Sequence, residues 1–144
     1  MQLSGMKRTA LSVIPTLFLL SPASADALGD TRVLHQAITI RAAILETLLD
    51  PPQEPIRTAD DIQRLVYEPI MKAAYDWTKN AVAVAGKNSP YIHYSVCVDA
   101  AYTFKLYAGE IQYALKTSKP LPEIAGKLDY RAKLSTCETT IGNS

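Results

Sequence analysis

Reactive side chains are few in this chain, and their spacing predicts little chemistry. The two histidines, His35 and His93, have no serine, cysteine or acid placed to form a nucleophile–base pair. No Cys/His cluster offers the ligand set of a zinc or haem site. The six glycines are scattered rather than gathered into a phosphate-holding turn. Asp60-Asp61 is an adjacent acid pair, but successive residues point to different sides of a helix, so helix capping is expected of them rather than a catalytic dyad. No catalytic residue, metal or cofactor is expected.

Other residues point to structure and contact. Cys97 and Cys137 are the only cysteines. An even pair in an oxidising compartment predicts a structural disulfide, and their wide separation is unlike that of a redox pair. Closing a loop of about 41 residues is worth about 4 kcal/mol in the chain-entropy model. Arg41 falls in the apolar arc of the first helical segment, between Ile38 and Leu45. A lone charge there is costly. It is expected to snorkel outward, to pair with an acid such as Asp76 or Asp99, or to mark an opening to a partner or anionic ligand. By 100° per residue His93 projects inward beside Cys97, Phe104 and Ile111, as a core histidine or, with Arg41, as a ligand contact.

The clearest contact signal lies on the third helical segment. Val96, Cys97, Ala100, Phe104, Tyr107, Ala108, Ile111 and Leu115 share one side and suffice for a core. Tyr91, Val98, Tyr102, Leu106, Gly109 and Tyr113 form a second stripe. Tyrosine combines a rigid apolar body with a polar tip and is enriched where proteins meet, and Gly109 would permit close approach. The competing reading makes this the most buried helix, touching neighbours on both sides.

Prolines and glycines cut the chain into the elements that must position these residues. Asp30 to Asp50 carries Leu34, Ile38, Leu45 and Leu48 at helical spacing, with Val33, Ile40 and Ile44 alongside, before Pro51, Pro52 and Pro55. A second helix is expected from an N-cap at Thr58 to Gly86, kinked or split at Pro69. A third runs from Ser89-Pro90 to about Thr117. A fourth opens near Pro122-Glu123 with Ile124, Ala125, Leu128 and Ala132 and ends at Gly142, while Tyr130, Leu134, Cys137 and Ile141 give it a second stripe. The prediction is an all-α protein: an antiparallel, up-down-up-down four-helix bundle with one disulfide. Cys97 early in the third helix and Cys137 late in the fourth agree with a hairpin turning near Lys119.

Ahead of the bundle, Lys7-Arg8 precedes an apolar run from Thr9 to Leu20 and a small-residue stretch ending at Ala23-Ser24-Ala25. These are the three parts of a cleaved export signal, and the run is shorter than the roughly 20 residues of a spanning helix. Residues 1–25 are thus expected to leave, with cleavage after Ala25 or two residues later after Ala27, and residues 26–144 to form a single domain in a periplasm or outside the cell. Losing Lys7 and Arg8 moves the formal net charge from +1 to −1. Neither a nucleic acid nor an anionic membrane is expected as partner at that balance.

In size, export, helicity and its single disulfide the chain resembles, in format, small exported immunity proteins that bacteria use against cell-wall-degrading toxins. What this resemblance implies is a binding or inhibitory module that docks on another protein, with a second copy of the chain as a further candidate partner. The alternative is a small-ligand carrier using Arg41 and His93 inside the bundle.

Overall fold

The computed structural model describes residues 22–50, 54–84, 86–122 and 124–144. The export signal's charged start and apolar run, with Pro51, Pro52 and Glu123, lie outside the described residues. Helix α1 spans Pro22–Leu49, so it starts ahead of the expected Asp30, and the Ala25–Asp26 junction falls in its first turns. Helix α2, Pro55–Ile62, runs through a π turn, Gln63–Tyr67, into α3, Glu68–Ala83. A 3-10 turn, Pro90–Tyr94, leads into α4, Ser95–Lys116, and α5 is Ile124–Gly142. Every regular element among the described residues is helical, and they make four rods.

The second rod departs from its expected start for a local reason. Pro55 occupies the first helical turn, where its missing N–H costs nothing, so the helix begins there and not at Thr58. Thr58 N–H donates to Glu54 O instead. Its side chain is buried, and its hydroxyl has no hydrogen-bond partner.

The expected interruption at Pro69 takes the form of the π turn just before it, where Glu68 N–H reaches back to Gln63 O. Proline at 69 offers no N–H to the Leu65 carbonyl. Arg41 answers that vacancy: its Nη1 donates to Leu65 O at 2.9 Å. The misplaced charge of α1 is thus half-buried against a backbone carbonyl of the second rod rather than against Asp76 or Asp99.

The core is formed by Leu34, Ile38 and Leu45 of α1, with Ile62, Val66, Ile70 and Trp77 of the second rod. Cys97, Ala100, Phe104, Ala108 and Ile111 of α4 complete it, with Tyr130 and Cys137 of α5. Cys97 and Cys137 are disulfide-bonded, with Cα atoms 4.8 Å apart. On α5 the inward stripe is the one with Tyr130 and Cys137. Leu128 is 57% exposed, Ala132 also faces solvent, and Ile124 and Ala125 lie outside the described side chains. The disulfide selects between the two stripes, because it fixes which side of α5 meets α4.

Cross-helix contacts follow a consistent order. Between α1 and the second rod they are Thr31 with Trp77 and Arg41 with Leu65. Between α1 and α5 they are His35 with Glu138, whose atoms lie 2.9 Å apart, and Glu46 with Arg131 at 2.8 Å. Tyr91 meets Trp77, Tyr67 lies beside Gly109, and Gln112 bonds Gln63. Cys97 joins Cys137, and Phe104 packs edge-on against Tyr130. In each of these four pairs of rods one residue number rises as the other falls.

Unlike Thr58, the buried polar side chains of Thr31 and Gln112 are tied into the same frame. Trp77 Nε1 donates to Thr31 Oγ1, which donates to Ala27 O. Buried Gln112 donates to Gln63 Oε1 at 2.7 Å and to Ala59 O at 3.4 Å, bracing α4 against the π turn. Each satisfied contact removes the desolvation penalty that a bare polar group would carry.

Candidate protein-binding face

Helix α4 packs against α1, the second rod and α5, and its outer side is exposed. Its inward residues are fixed by the disulfide, the Phe104–Tyr130 contact and the Gln112 brace. On the outer side Tyr102, Leu106 and Tyr113 are 42%, 63% and 58% exposed. Large apolar side chains set in line on a rigid element form a ready contact surface, because little ordering entropy remains to be lost on binding.

Tyr91 does not belong to that face. It is buried at 3% exposure, edge-on to Trp77 with ring centroids 5.4 Å apart, and its hydroxyl donates to Asp30 Oδ2 at 2.6 Å. Burial, then the hydrogen bond to Asp30, push its pKa up to about 12. Val98 packs, half-buried, against the core. Of the six stripe residues the structure therefore leaves Tyr102, Leu106 and Tyr113 outward, with half-buried Gly109 among them.

Gly109 marks a hollow of about 300 Å³, lined by Tyr67, Lys105, Leu106, Glu110 and Tyr113 besides the glycine itself. A Cβ at 109 would sit 3.5 Å from the Tyr67 ring, an ordinary contact, so the glycine is not required for packing within the chain. Lys105 Nζ lies 5.8 Å from the Tyr67 ring centre and 5.6 Å from that of Tyr102. Lys119 Nζ lies 5.0 Å from the Tyr113 ring centre and donates to its hydroxyl at 3.2 Å. These cation–π contacts hold the rings in place, and Tyr102 and Tyr113 remain exposed.

Tyr67, Lys105 and Glu110 were not singled out from the sequence. Tyr67 sits in the π turn, where counting by 100° per residue places side chains wrongly. Lys105 and Glu110 simply flank the stripe, and extending its helical projection by one position on each side would have found them.

Arg41 and His93 lie in separate hollows. Arg41 borders a groove of about 260 Å³ with Asp30, Pro69, Lys72 and Asp76. His93 is exposed rather than inward, edge-on to Tyr94 with ring centroids 4.9 Å apart, in a different hollow with Ser24, Leu28 and Ser144. The 3-10 turn explains the difference: at three residues per turn the angular count from α4 does not extend back to residue 93. The two residues do not converge on one cavity.

Between α1 and α5, Lys127 and Arg131 both pair with Glu46, at 3.0 and 2.8 Å. The hydrogen bond from Lys127 leads in holding the Glu46 carboxyl below its ordinary value. Among the described residues no group of three His, Cys, Asp or Glu side chains could hold a metal ion. No helix among them is long and apolar enough to cross a membrane. The Cys97–Cys137 disulfide is compatible with an oxidising compartment. No family model, curated protein or solved structure matches this chain, so function is argued from this geometry.

Proposed function

We propose that the protein is an exported helical module that acts by binding another protein, in the manner of an inhibitor or immunity protein, through the outer face of α4. The observation that carries this reading is the alignment of Tyr102, Leu106 and Tyr113, exposed side by side on the helix that the disulfide anchors. Export is supported by the charged start, short apolar run and small-residue end of residues 1–25, and by the disulfide. We also infer an up-down-up-down course for the four rods, which the opposed numbering of their contacts supports.

The test is affinity capture from the native compartment with the wild-type protein and with a Tyr102→Ala/Tyr113→Ala variant. The variant is expected to fold normally, since neither ring is in the core, and to lose the protein that the wild type retains. Equal retention by both overturns the assignment of α4. Retention of nothing protein-sized by the wild type overturns the binding reading.

A further inference from the structure

We propose that the outer face of α4 also takes a second copy of this chain, with the two α4 helices running parallel about a two-fold axis. This rests on the reading of that face as a contact surface and names one occupant for it. Tyr102, Leu106, Gly109 and Tyr113 succeed one another by four, three and four residues, the rhythm of a two-helix seam. With Tyr102 and Gly109 at d positions and Leu106 and Tyr113 at a, Lys105 falls at g and Glu110 at e.

Charge selects the arrangement. In a parallel pair the g residue of one helix meets the next e residue of the other, and Glu110 is the next e residue after Lys105. The two-fold axis makes that contact twice. An antiparallel pairing of the same faces would set Lys105 against Lys105 and Glu110 against Glu110, which is repulsive. Neither residue forms an ion pair with another described residue of its own chain. The hollow over Gly109 gives an apolar side chain of the second copy, Leu106 or Tyr113, a place to seat. The seam is short, about 17 Å from Tyr102 to Tyr113 at the helical rise, so the dimer is weak and salt-sensitive. A foreign protein on this face excludes the second copy.

The test is sedimentation of the protein purified from its native compartment, over a concentration series at low and high salt. The mass is expected to rise from one copy toward two, and to do so less at high salt. Lys105→Glu and Glu110→Lys should each move the midpoint to roughly tenfold higher concentration, while the double variant K105E/E110K returns it toward wild type. Circular dichroism melts confirm that each variant is folded. A single-copy mass throughout, or a double variant as weak as the single ones, overturns the proposal. If the wild type stays single-copy while Y102A/Y113A still loses a captured protein, only this inference falls. If mass and capture are both insensitive to the face, the contact reading falls with it.

Discussion

Replacing Arg41 by methionine removes the guanidinium that donates to the Leu65 carbonyl. A hydrogen bond from a charged group to a half-buried carbonyl is worth about 2 kcal/mol, and that loss should appear in urea unfolding. On a Pro69→Ala background the same change should cost distinctly less, because alanine at that position supplies the N–H that proline lacks. Equal costs on both backgrounds would break the link between Arg41 and Pro69. Thr58→Val is expected to be neutral or to stabilise by up to about 1 kcal/mol, since the buried hydroxyl it removes has no partner. Arg41 could be recognised in the sequence as a misfit, but its partner could not, because a backbone carbonyl freed by a distant proline has no side-chain signature. His93 was misplaced for a different reason: the local helix changes pitch just before α4.

The elements themselves were largely legible, since prolines and glycines punctuate them and apolar residues recur at helical spacing. Their ends were less so. Helix α4 closes with Ser118 at a positive φ of 54°, Thr117 N–H on Tyr113 O and Lys119 N–H on Ala114 O. That is a Schellman-type ending, which glycine suits best. Ser118→Gly should therefore raise stability by about 1 kcal/mol in thermal or urea unfolding. Gly109→Ala should gain about 1 kcal/mol from helix propensity while filling the hollow, so tighter folding and weaker contact should appear together. Gly126→Ala should gain less, because its Cβ would meet the Tyr107 ring at 3.1 Å. The tie between α1 and the 3-10 turn gives a pH signature. Tyr91 holds its proton more tightly in the folded state, with a pKa about 12 against an ordinary 10. Its contribution is therefore complete below pH 10 and is lost as pH rises from 10 to 12. Tyr91→Phe should flatten the fall of melting temperature across that window relative to wild type.

For the whole molecule the disulfide is the main covalent restraint, joining residues 40 apart in sequence. Changing Cys97 and Cys137 together to alanine should cost about 4 kcal/mol. Two cysteines in one chain made the pairing legible, and the pairing in turn decides which stripe of α5 faces inward, something its two apolar stripes left ambiguous. In the sequence the second stripe of α4 reads either as a further buried side touching neighbours or as an open face for a partner. Local spacing cannot say how many neighbours a helix has, so exposure of Tyr102, Leu106 and Tyr113 had to come from packing. Surface footprinting of those residues tests the contact face most directly, comparing dilute protein, concentrated protein and protein in an extract of its native compartment. Tyr102, Leu106 and Tyr113 should become protected in the extract while exposed Ile40 and Leu128, on α1 and α5, keep their reactivity. Unchanged labelling of the α4 residues in every condition would contradict the claim that this face is where the protein is bound.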